Sequence, residues 1–151
     1  MITIRRTTSE DEDFQKLVRE LDKDLAIRDG AEHSFYAQFN KIALVKHAVV
    51  AYTTAEAFGC GAIKEYSDGV MEVKRMFVPK EKRGLGIASV ILKELEEWAK
   101  ELKATKCVLE TGKKQPEAIR LYEKNGYRQI PNYGQYEGVE NSVCFEKILG
   151  E

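Results

Sequence analysis

Histidine is scarce in this chain, with only His33 and His47 among 151 residues. That scarcity argues against a histidine-rich metal centre. Cysteine is scarce too: Cys60, Cys107 and Cys144 stand apart, with no C-x-x-C among them. An odd, scattered set excludes a closed disulfide framework and a cysteine zinc site, so no metal is expected. Each cysteine falls in a strand-like run and reads as a small buried hydrophobe, with a catalytic thiol as the alternative. A surplus of one charge is absent as well, with 24 basic against 25 acidic residues. No global field is available to hold nucleic acid, although local patches remain compatible with that total. No run approaches the roughly 20 apolar residues of a membrane span. The opening Met1-Ile2-Thr3-Ile4-Arg5-Arg6 lacks the apolar stretch of a signal peptide. The expectation is a cytoplasmic protein with no membrane or nucleic-acid partner. Repeats, linkers and low-complexity tracts are also missing.

What is present suits one domain over residues 1–151. The composition is 43% hydrophobic and 32% charged, an ordinary globular balance. Residues 2–6 suggest a strand. Ser9 and Glu12 have capping-box spacing, followed by Phe14, Leu17, Val18, Leu21 and Leu25 at helical intervals. That helix should stop by Gly30; residues 31–40 could be a short helix or a loop. Strand-like runs follow at 46–53, 57–66 and 70–78, with a hairpin signal at Ser67-Asp68-Gly69. From 85 to 102 the period turns helical, with Ile87, Ile91, Leu95, Trp98 and Leu102 on one face. Lys93, Glu94, Glu96, Glu97 and Lys100 read as the solvated face. A strand at 106–110 precedes a helix that opens at Gln115-Pro116 and stops at Asn125-Gly126. Two more strands fit near 127–130 and 142–149. The order predicts a mixed sheet with a parallel crossover and helices on both faces.

One stretch carries chemistry. Arg83-Gly84-Leu85-Gly86-Ile87-Ala88 lies between a strand and an amphipathic helix. Unpartnered amides and the dipole at a helix start favour an anion. Glycine lets the backbone come close to a phosphate, and Arg83 adds positive charge. A plain tight turn is the alternative. There is no Lys-Ser/Thr of a Walker A loop here and no G-x-G-x-x-G.

Arg83-x-x-Gly86-x-Ala88, after Met76-Phe77-Val78-Pro79, resembles the R/Q-x-x-G-x-G/A signature of the GNAT N-acetyltransferases. Downstream, Gln115-x-x-Ala118-x-x-Leu121-Tyr122-x-x-x-Gly126-Tyr127 resembles that family's N-x-x-A-x-x-L-Y-x-x-x-G-F/Y element. Gln115 replaces the commoner asparagine. The likeness runs from about residue 57 to the end.

The resemblance implies the acyl-CoA N-acyltransferase fold: an α/β (α+β) mixed, mostly antiparallel sheet of six to seven strands, splayed in the middle. It implies acetyl-CoA as cosubstrate and an amine as acceptor. Met76, Phe77 and Val78 would bond the pantetheine arm through their backbone, with a donor near Phe77 for the oxyanion. Amides of Arg83, Gly84, Leu85, Gly86, Ile87, Ala88 and Ser89 would hold the pyrophosphate. Gln115, Ala118 and Tyr122 would complete the coenzyme site. Tyr122 matches the family's general acid, or it is only a packing tyrosine. Glu72 is the candidate base because alternation places it on one face with Lys74 and Met76. The alternative is a surface charge paired to Lys74. Tyr36, Phe39, Tyr133 and Tyr136 are candidates for the acceptor pocket, or simply caps on the core. Glu137 or Glu146 could bind a cation, although nothing singles them out from solvated surface charges. A small-molecule amine is the favoured acceptor; a protein or peptide amine, a non-catalytic acyl-CoA sensor and a nucleotide-phosphate binder compete with it. A homodimer is possible.

Overall fold

A computed structural model describes residues 1–29 and 45–150. Strand β1 (Ile2–Thr7) leads to helix α1 (Glu12–Asp29). Asp11 caps this helix: its carboxylate accepts the Phe14 amide at 3.0 Å, and its carbonyl accepts the Gln15 amide at 2.9 Å. The expected Ser9–Glu12 box is therefore corrected. Ser9 instead gives its amide to the Val45 carbonyl, and its own carbonyl accepts the Gln15 side chain.

Strands β2 (His47–Thr53), β3 (Glu56–Ser67) and β4 (Val70–Phe77) form the expected antiparallel meander. Gly69, at φ 75°, closes the β3–β4 turn. Helix α2 (Ile87–Glu101) then crosses over to β5 (Lys106–Gly112), which lies parallel to β4. Helix α3 (Pro116–Lys124), β6 (Arg128–Ile130) and β7 (Ser142–Ile148) complete the order. Among the described residues seven strands form one sheet, β1-β2-β3-β4-β5-β7-β6, in which only β4 and β5 run parallel.

The sheet is covered on both faces, so its central strands are apolar on both sides. Ala48, Val50, Cys60, Ala62 and Phe77 face Phe14, Leu17, Val18 and Leu21 of α1. Val49, Ala51, Ile63 and Val73 face Ile91, Leu92 and Leu95 of α2. The close approach of α2 depends on Gly61: a Cβ there would lie 2.9 Å from both Ile91 and Leu95. All three cysteines are buried.

Two helix-face expectations need correction. Leu102 is 38% exposed, because it caps α2 after the helix has left the core. Glu96 is buried rather than solvated: it accepts the Tyr127 hydroxyl and the Lys147 ammonium, each at 2.9 Å. Glu146 is likewise buried and bracketed by Arg128 and Lys106.

Strand β4 departs from regularity twice. Between Cys60 and Ala62 on β3, the partner on β4 moves from Phe77 to Lys74, one residue too many. The extra residue is a bulge, with Arg75 held at φ 59°. In addition, β4 pairs with β5 at only three positions, the last being Glu72 with Val108. Beyond that point the two strands part.

Candidate active site

The parting of β4 and β5 opens a cleft of about 100 Å³. Glu72, Lys74, Arg75 and Met76 line it from β4, and Glu110, Thr111 and Gly112 from β5. Gln115, Ala118 and Tyr122 close it from α3, Leu21 and Leu25 from α1, and Tyr136 from the β6–β7 connection. Since β4 and β5 are parallel, the cleft opens at the carboxyl ends of both. The chain leaving β4 there leads directly into the start of α2.

That connection holds the glycine turn. Arg83 donates Nε to the Val78 carbonyl at 2.8 Å, which pins the turn to the end of β4. Gly84 and Gly86 sit at φ 88° and 78°, where side chains are disfavoured, and a Cβ on either would meet nothing within 4 Å. The turn is therefore an open cradle and not a plugged bend. The first helical bond of α2 runs from the Val90 amide to the Gly86 carbonyl, so the amides of Ile87, Ala88 and Ser89 precede the ladder. Ile87 itself points into the core. Leu85 is exposed. The Ser89 hydroxyl accepts Asn125 Nδ2 at 3.1 Å, which ties α2 to the end of α3.

The side chains of Phe77 and Val78 are buried in opposite cores, so only their backbone can meet a ligand. Met76 does not share a face with Glu72 and Lys74, which corrects the alternation argument. The bulge at Arg75 reverses the phase, and the Met76 thioether lies beside Gly61 with Ile91 and Leu95. Glu72 is no surface charge. It is 7% exposed, accepts the Tyr133 hydroxyl at 2.6 Å and meets Lys74 Nζ at 3.6 Å. Burial holds Lys74 below the usual lysine range, against the pull of Glu72.

Tyr122 is buried at the wall of the cleft, edge-on to Tyr127 at 5.8 Å. Burial, reinforced by Glu110, pushes its hydroxyl above the ordinary tyrosine value, so it holds its proton. Tyr133 is shifted the same way by burial and by Glu72. Of the acceptor candidates, Tyr136 lines the cleft, while Tyr133 stacks edge-on between Tyr66 and Tyr136 and holds Glu72. Tyr36 and Phe39 lie outside the described residues.

Sequence reasoning did not place Glu110, Arg75, Leu21 or Leu25 in the site, and it named Lys74 only as a partner of Glu72. Glu110 left a signal: an acidic residue that ends the apolar run Cys107-Val108-Leu109. It accepts the Ser142 hydroxyl at 2.7 Å. Arg75 is buried by its ion pair to Asp22 of α1 at 2.7 Å, a contact no local pattern announces.

The sequence profile of the Acetyltransferase (GNAT) family matches residues 9–127. An IAA acetyltransferase of Azospirillum brasilense is 32% identical over 150 residues, 98% of each chain. A Klebsiella pneumoniae structure assigned provisionally as an acyl-CoA N-acyltransferase superposes with TM-score 0.83, at 28% identity and 99% coverage of both chains. A PaiA N-acetyltransferase of Thermoplasma acidophilum, solved with coenzyme A, shares the fold at TM-score 0.72 and 19% identity, covering 98% of this chain and 99% of its own. The family match spans both the glycine turn and the tyrosine of α3, the two elements that frame the cleft, and the chain belongs to the GNAT family of acetyltransferases.

Proposed function

We propose that the chain transfers the acetyl group of acetyl-CoA to a primary amine of a small molecule, by direct attack with both substrates bound. The observation that carries this reading is the cleft where β4 and β5 part after Glu72 and Val108, followed along the chain by an open glycine cradle that Arg83 ties to the end of β4. Acetyl-CoA supplies an activated acetyl thioester. The cradle amides from Arg83 to Ser89 fit its pyrophosphate. The edge of β4 left without a partner strand, at Met76, Phe77 and Val78, fits the amides of the pantetheine arm.

Glu72 is the acceptor of the amine proton, directly or through water, because a protonated amine has no lone pair to attack with. Its hydrogen bond from Tyr133 fixes the carboxylate in place. Tyr122, which holds its proton, gives it to the departing sulfur. Acetyl moves from sulfur to nitrogen, and the proton count closes through these two groups. The IAA acetyltransferase relative favours a small acceptor.

Calorimetry with coenzyme A and a thiol-release screen over amines test the reading together. Binding with thiol release supports it; no affinity for coenzyme A would overturn it. Tyr122→Phe should bind coenzyme A and lose about 10²-fold in kcat. Unchanged kcat would remove Tyr122 from the acid role.

A further inference from the structure

Lys74, Arg75 and Glu110 are the charged groups of the cleft lining to which the proposed chemistry gives no role, and of the two cations Arg75 is taken up by Asp22. The Lys74 side chain is 10% exposed, and its ammonium meets Glu72 at 3.6 Å, beyond hydrogen-bond length. The anions nearby are better served. Glu72 takes the Tyr133 hydroxyl at 2.6 Å, Glu110 the Ser142 hydroxyl at 2.7 Å, and Asp22 the Arg75 guanidinium at 2.7 Å. An ammonium offers three donors and no acceptor. That of Lys74 is buried, drawn by Glu72 and by the more distant Glu110 but repelled by the Arg75 guanidinium, and with Glu72 no nearer than 3.6 Å it has donors left to meet a further anion. Its depressed affinity for a proton agrees with that deficit, since a closer anion would raise it.

The arrangement of the two charges matters as much as the deficit. Glu72 and Lys74 sit two residues apart on β4, ahead of the bulge, and both line the cleft. Their charged ends present a negative and a positive group side by side. A molecule with an amine and a carboxylate on one carbon presents the complementary pair. A plain amine or a peptide N-terminus presents only half of it. Leu21, Leu25 and Tyr136 supply an apolar wall for a side chain.

We infer that the acceptor is a free amino acid, with its amine toward Glu72 and its carboxylate bound by Lys74. This rests on the acetyl transfer proposed above and names its substrate class.

The test is thiol release by the intact chain with matched acceptors. Phenylalanine, phenylalaninamide and phenethylamine form one series, and leucine with its two counterparts forms another. In at least one series, kcat/KM for the amino acid should exceed both counterparts by at least about tenfold, mainly through KM. Lys74→Met should bring that ratio to about one, while Lys74→Arg keeps the amino acid ahead. Coenzyme A titration verifies that both variants fold. Thiol release by wild type with the carboxamides or plain amines equal to the amino acids in both series would overturn the inference and leave acetyl transfer standing. Thiol release with none of the six would bring down the transfer reading and this inference with it.

Discussion

Single residues in this protein act mainly through what they hold. Tyr122 is the clearest case: burial and the nearby Glu110 keep its hydroxyl protonated above the ordinary tyrosine range, so it can donate but does not ionise at neutral pH. Asp11 shows the opposite direction. Burial alone would raise its pKa, yet the Phe14 amide, the Thr7 hydroxyl and Arg5 together lower it. A carboxylate with a depressed folded pKa stabilises the fold above its unfolded value of about 3.9, and that contribution fades as pH falls through the folded value. Asp11→Asn keeps a competent cap but removes the charge. Chemical denaturation at pH 7 and near pH 2 should show wild type losing more stability on acidification than Asp11→Asn. Equal losses would show that Asp11 has no part in the acid response.

At the scale of elements, β3 and α2 depend on each other. The glycines of β3 let the helix lie close to the sheet, and Gly61 would place a Cβ 2.6 Å from the Met76 sulfur and 2.9 Å from Ile91 and Leu95. Gly61→Ala should overpack this contact by roughly 1–3 kcal/mol, read as a fall in thermal midpoint. A stability at or above wild type would mean that α2 can retreat freely. The elements themselves were legible, because periodicity and capping chemistry are local. The meander, the α2 stripe, Pro116 at the start of α3 and Gly126 after its end follow from residues within a few positions of each other. Glu96 was misread because its partners, Tyr127 and Lys147, lie 31 and 51 positions away. The face of Met76 was misread because an arginine at positive φ leaves no mark in a sequence.

For the whole molecule, the site is a seam between parts that are distant along the chain. The glycine cradle was readable because its amides, glycines and arginine are consecutive. The acceptor side was legible only in single residues, Glu72, Tyr133 and Tyr136, and not as an assembly, since it joins α1, β4, β5 and the β6–β7 connection. Among the described residues an ion pair spans this seam, from Asp22 of α1 to Arg75 of β4. Asp22→Ala should leave a buried guanidinium unpaired and cost roughly 1–3 kcal/mol, less than a fully buried pair because Asp22 is half exposed. Denaturant titration would register this as a lower midpoint at unchanged slope, and an unaltered midpoint would show that this pair adds nothing to the hold on α1, leaving it to the apolar face and the Tyr52–Asp13 bond.

The extra residue in β4 also sets a parity. Up to Lys74, even-numbered side chains look toward the cleft; past Arg75, odd-numbered Phe77 joins the α1 core and even-numbered Met76 the other. One strand can thus present charge at its beginning and seal two separate cores at its end. Excising Arg75, unlike replacing it, would straighten the strand without turning any side chain over: Lys74, Met76 and Phe77 would fall opposite Ala62, Gly61 and Cys60 in unbroken alternation, and what the molecule would forfeit is the kink and the tie to Asp22.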